Sequence, residues 1–115
     1  MGFTVRTRIA PPGQHRVVLS AIEETTSQYG GPALRWTFTV RGGPHDGSEL
    51  LKVTGIELRI GSSFGDLLRQ LYGRELQPGE VVDPVADLIG KEFHAFAIPG
   101  SSGNGAVLQT IRPAG

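Results

Sequence analysis

Nine consecutive residues, Ala33–Arg41, constrain this chain more than any other stretch. Leu34, Trp36, Phe38 and Val40 alternate with Arg35, Thr37, Thr39 and Arg41. Successive side chains of a β-strand point to opposite faces, so the pattern describes a strand with one dry and one wet side. A helix would scatter the same residues around its circumference. The wet side carries no acid: two arginines and two threonines all donate hydrogen bonds. The fold must therefore give this strand a core on one side and leave a donor-rich surface on the other.

The rest of the chain supplies partners of the same kind. His15–Glu24 predicts a first strand. Val17, Leu19 and Ala21 alternate with Val18, Ser20 and Ile22, and both sets are largely apolar, as in a strand covered on both sides. Thr25–Pro32 reads as a loop with Tyr29 near its tip. After Ala33–Arg41, the run Gly42–Gly47 contains Asp46-Gly47, a plausible hairpin turn, and Ser48–Thr54 predicts a third strand with Lys52 on the wet side. Gly55–Ile60 is ambiguous. Ser62 or Ser63 caps a helix in which Phe64, Leu67, Leu68 and Leu71 form an apolar stripe, stopped at Gly73. Gln77-Pro78-Gly79 is a turn and Pro84–Ile89 a short helical turn ended by Gly90. Lys91–Ile98 and Ala106–Ile111 predict the last two strands around a Gly/Ser-rich loop.

Seventeen glycines and eight prolines suit a turn-rich, β-rich single domain of this length. The expected layout is an N-terminal arm over 1–13, a domain over 14–112 and a short tail over 113–115. The arm ends in Pro11-Pro12-Gly13, and Phe3, Val5 and Ile9 suit an edge strand. It has no apolar stretch of the secretory kind, and no run approaches the ~20 apolar residues that span a bilayer. The absence of cysteine removes disulfides, thiolate nucleophiles and cysteine-ligated zinc, and is compatible with a cytoplasmic protein. Eleven basic and eleven acidic residues cancel, which argues against coating duplex DNA by bulk charge.

Three strands, a helix, then two strands is the order of the five-stranded Greek-key oligonucleotide/oligosaccharide-binding (OB) barrel, with one helix between strands three and four. Several short stretches recur in one order: Pro12-Gly13, Ile22-Glu23-Glu24, Ser27-Gln28-Tyr29-Gly30, Leu34-Arg35-Trp36-Thr37-Phe38-Thr39-Val40 and Asp87-Leu88-Ile89-Gly90-Lys91. Over Pro12 to Ile111 they resemble the small OB-fold single-stranded DNA-binding proteins of phages and mobile elements. The resemblance implies binding of single-stranded DNA in replication or recombination, without catalysis and without a cofactor. Such proteins often carry an acidic C-terminal tail that recruits partners; this chain ends Arg112-Pro113-Ala114-Gly115, which leaves tail-mediated recruitment unsupported.

An OB barrel binds ligand on the outer face of strands two and three and on the loops joining strands one–two and four–five. That rule selects Arg35, Arg41 and Lys52 as a phosphate track, with Thr37 and Thr39 as donors beside it and Tyr29 as a stacking residue; Arg16, with Arg6 and Arg8, extends the surface. Trp36 belongs by pattern to the core, but becomes a stacking contact if the two faces are inverted. Aromatic residues make up only 7% of the chain, which limits how many bases can stack. RNA in place of DNA and a homo-oligomer remain open. The three histidines show no metal-ligand spacing, and no nucleophile elbow or phosphate-loop ending is present, so no catalytic or metal site is expected. The rivals are a protein-interaction or assembly module on a small barrel, and a carbohydrate binder or enzyme on the same barrel.

Overall fold

The computed structural model describes residues 9–26, 30–56, 62–99 and 106–114. Five antiparallel strands form one sheet: β1 (Gly13–Thr26), β2 (Pro32–Val40), β3 (Glu49–Gly55), β4 (Glu92–Pro99) and β5 (Ala106–Pro113), in the spatial order β3-β2-β1-β4-β5. Two helices, α1 (Ser63–Tyr72) and α2 (Pro84–Leu88), lie between β3 and β4 in sequence.

The sheet pivots on β1. Its first half pairs with β4 over Gly13–Val18, and most of its length pairs with β2 over Val17–Thr26. Within the β1–β2 ladder the register slips: Leu19 faces Phe38, but Ala21 faces Thr37, so Ser20 is an extra residue. A bulge of this kind bends the strand and swaps which face its side chains take. Val17 and Leu19 are buried before it, and Ile22, opposite Trp36, packs against the core after it. The alternate apolar sets of β1 therefore do not reflect a strand covered on both sides, as the sequence suggested. They reflect one core face that changes parity at Ser20. Where β1 bends away from β4, its main chain is met by the α2–β4 turn, through Gly90 N–H to Leu19 O (2.9 Å) and Leu19 N–H to Lys91 O (3.3 Å).

The core lies inside the curve of the sheet. Trp36, Phe38 and Val40 of β2 meet Leu50, Phe93, Leu108 and Ile111 from the other strands. Trp36 is fully enclosed; its indole N–H donates to Thr54 Oγ1 (2.9 Å), and its ring meets Phe64 edge-on at 5.7 Å. A buried indole without an acceptor would cost roughly 1–3 kcal/mol, so the buried Thr54 is part of what makes tryptophan tolerable there. On β4 the inward residues are Phe93, Ala95 and Ala97, while Phe96 and Ile98 face out. Ala10, seven residues before Val17, the first buried side chain of β1, is also buried, and its N–H donates to Glu49 O (2.9 Å) beside a parallel bridge from Ile9 to Glu49.

The helix follows its sequence signals closely. Ser62 Oγ accepts from Gly65 N–H (3.0 Å) at the N-cap, and Gly73 takes the left-handed conformation at φ 72° and donates to Arg69 O at the C-cap. Leu67, Leu68 and Leu71 are buried. Tyr72 O–H donates to Asp87 Oδ2 (2.7 Å), tying α1 to α2; burial first, and then this carboxylate, push the phenol above its ordinary range. Beyond α1, Arg74 grips Glu80 with two parallel bonds, one from each terminal nitrogen to its own carboxylate oxygen. With the Gln77 N–H also donating to it, the Glu80 carboxyl is held down at about 2.

The sheet remains open rather than closing as a barrel. Its edges, β3 and β5, come within 8 Å of each other, but no ladder joins them. Side chains of α1 bridge the gap instead. Ser63 Oγ accepts from Gly55 N–H of β3 (3.3 Å), and Gln70 Oε1 accepts from Ile111 N–H of β5 (2.9 Å). Gln70 is steadied by its own helix, its amide nitrogen donating to Asp66 O (3.4 Å). Replacing Gln70 with leucine keeps the volume but leaves a partly buried N–H unpaired. The expected loss is about 1–3 kcal/mol in urea unfolding, with faster hydrogen exchange at the Ile111 amide; an unchanged unfolding midpoint would contradict this role for the helix.

Candidate nucleic-acid interface

The outer face of the sheet is where the donor-rich side of β2 lies, and its contents follow from register. The outward residues are Arg35, Thr37 and Thr39 in β2 and Arg41 just past its end. Arg35 stands opposite Glu23 of β1 and pairs with its carboxylate (3.3 Å). Thr37, between Ala21 and Leu51, is almost wholly covered, and the Thr39 hydroxyl shares a hydrogen bond with that of Ser20 at the bulge (2.5 Å). Two threonines and one arginine of the expected track are thus already engaged within the protein.

Lys52 is not on this face. Register places Glu49, Leu51 and Val53 outward, and puts Lys52 opposite Trp36, with the inward set of β3. It lies at the open seam, beside a cavity of about 250 Å³ lined also by Ser63, Asp66, Gln70 and Gln109. A lysine survives on that side because the seam is unclosed, so the ammonium meets polar groups and solvent rather than the core. The expected grouping of Arg35, Arg41 and Lys52 is therefore corrected. Trp36 lies in the core, as its alternation implied; the faces are not inverted, so the alternative of Trp36 as a stacking contact is corrected, since a fully enclosed indole offers no surface to a base. Tyr29, Arg6 and Arg8 lie outside the described residues.

Register assembles a different set. Arg41 extends the β1–β2 ladder by one position, donating its N–H to Arg16 O (2.8 Å). Arg16 stands opposite His94 of β4, and His94 opposite Arg112 of β5. Arg41, Arg16, His94 and Arg112 thus form one row across four adjacent strands, all exposed. At ~4.8 Å per strand the row spans about 14 Å. A second row runs beside it: Gln14, Phe96 and Thr110. Arg16, His94 and Arg112 of the first row, with the second row, line a groove of about 370 Å³ over β1, β4 and β5; Arg41 lies beyond its end. Phe96 is 38% exposed there, an aromatic side chain in the row beside the cations.

The charges in the row are not equivalent. Arg16 donates from Nε (2.8 Å) and Nη2 to a single oxygen, Oε2, of Glu92. Among the described residues, Arg41 and Arg112 have no acidic partner. Of the other histidines, His15 and His45 meet edge-on at 6.0 Å, with His15 Nε2 held at Pro11 O (2.7 Å). Among the described residues, no three His, Asp or Glu side chains come together to hold a metal ion, and no helix is long and apolar enough to cross a membrane.

Sequence reasoning selected Arg16 and Arg41 but missed His94, Phe96 and Arg112. The alternation around Phe93 was a usable signal, since a buried Phe93 sends His94, Phe96 and Ile98 outward. Nothing local marks Arg112 as a neighbour of His94, because strand register is a long-range property. No family model matches the chain, and no curated protein matches it.

The position of Trp36 is directly observable. As the chain's one tryptophan, it should emit at short wavelength, resist acrylamide quenching, and keep its emission when a poly-dT oligonucleotide is added. Strong quenching by the oligonucleotide would place the indole on the contact surface instead.

Proposed function

We propose that this protein binds single-stranded nucleic acid, without catalysis, across the outer face of β2, β1, β4 and β5. One observation carries the reading: Arg41, Arg16, His94 and Arg112 line up in register, and Phe96 shares a groove with the last three. Single-strand binding needs cations that follow the phosphates and an aromatic face that accepts a base, each stacked base contributing about 1–3 kcal/mol. Arginine serves both needs, because its planar guanidinium forks onto phosphate and stacks. The row is narrow and the whole chain is neutral, which favours a flexible single strand over a rigid duplex. A surface of cations and an aromatic face holds phosphates and stacks bases of any identity, so binding is independent of sequence. We read the fold as a partly open OB barrel whose seam lies between β3 and β5, in keeping with the resemblance to small single-stranded DNA-binding proteins and a role in replication or recombination.

A second reading has one observation in its favour. Leu51, Val53 and Ile56 leave 40%, 51% and 50% of their surface exposed along the edge strand β3 and just beyond it. Large apolar groups on a sheet edge suit contact with another protein chain, as an assembly module would make.

Fluorescence anisotropy with labelled dT and rU oligonucleotides at two salt concentrations separates the two. The first reading predicts binding that weakens with salt, with a log–log slope near −0.7 per phosphate contacted. Replacing Arg16, Arg41 and Arg112 together with alanine should weaken it on the order of 100-fold, at about 1 kcal/mol per contact, while Lys52→Ala leaves it unchanged. A concentration-dependent oligomer indifferent to both oligonucleotides at low salt would support the assembly module and overturn the first reading.

A further inference from the structure

We infer that Glu92 limits the affinity of this surface by occupying the arginine that a phosphate must take. The inference rests on the basic row being a nucleic-acid track. Arg16 sits second in that row, between Arg41 and His94. Its guanidinium is turned to Glu92, two residues before His94 on the same strand, and the side chains are 58% and 41% exposed.

The form of the pair makes Glu92 a displaceable competitor. Both donors of Arg16 go to one oxygen, Oε2, so the carboxylate does not meet the guanidinium as two parallel bonds. The contrast within the same protein is Arg74–Glu80, where two nitrogens reach two oxygens and a backbone N–H secures the carboxylate. The two-bond fork is the stronger and more specific geometry. At Arg16 one terminal nitrogen is left for another anion, which would approach it from the side of the row. A phosphate entering there also gains Arg41, His94 and Arg112, whereas Glu92 competes with a single contact. Glu92 thus adds a like charge beside the strand's path and takes a cation from it.

The test is an anisotropy titration of poly-dT by the full chain, carrying Glu92→Gln, Arg16→Ala, or both, at two salt concentrations. Glu92→Gln keeps the size and one hydrogen-bond acceptor of the side chain, and thermal unfolding checks that it folds as the parent does. Glu92→Gln should tighten binding roughly 3- to 10-fold with the salt slope little changed, because Arg16 reaches its phosphate in both proteins and only the cost of displacing Glu92 is removed. In the Arg16→Ala background the same change should alter affinity less than about twofold, because the freed cation is gone. Glu49→Gln, three strands from Glu92 on the same outer face, should change affinity less than about twofold. Equal gains with and without Arg16 would reduce Glu92 to one negative charge among others and overturn the inference. So would an unchanged affinity in Glu92→Gln while the Arg41→Ala and Arg112→Ala variants still weaken binding; that result leaves the proposed function standing. Absence of oligonucleotide binding by the parent chain at low salt overturns both.

Discussion

The extra residue at Ser20 sets the geometry on which everything else rests. A straight β1 would pair with β2 and β4 along one flat ribbon. The bulge lets β1 bend, serve β4 with its first half and β2 with most of its length, and keep Val17, Leu19 and Ile22 on one concave core. It leaves the row at Arg16 undisturbed, because the slip comes after the residues that pair with β4. The curvature that buries Trp36 and Phe38 on one side is thus the same curvature that presents four strands' worth of outward side chains on the other.

The open seam is the second consequence. A curved five-strand sheet brings β3 and β5 near each other without joining them, so the edge groups of each find no partner in the other strand. Unpaired edges invite association with other chains. Here α1 covers the gap with an apolar stripe below and polar side chains at two points, Ser63 on β3 and Gln70 on β5. The helix is a structural part of the sheet's closure as well as a core element. Lys52 and Asp66 both line this seam, away from the outer face.

Much of this was legible in the sequence where structure is local. The alternation of Ala33–Arg41 described β2 correctly because that strand has neighbours on both sides and a single covered face. The caps of α1 and the left-handed Gly73 were equally readable, since each involves residues within one or two turns. Lys52 went to the wrong face because charge was taken as a marker of the wet side, while its true side is fixed by the β2–β3 register and tolerated by the seam. In β4 the small residues Ala95 and Ala97 face the crowded interior while the larger Phe96 and Ile98 face out. The candidate site was the least legible part, as Arg41, Arg16, His94 and Arg112 come from four strands and meet only through long-range pairing.

The central claim, that nucleic acid lies across β2-β1-β4-β5 rather than across β2-β3, is tested most directly by amide chemical-shift mapping. On titrating poly-dT into the isotope-labelled chain at low salt, the largest shifts should fall on Arg41, Arg16, His94, Phe96 and Arg112. Leu51, Val53 and Lys52 should remain near their free positions. Shifts concentrated on β3 and the outer residues of β2, with His94 and Arg112 silent, would contradict the account.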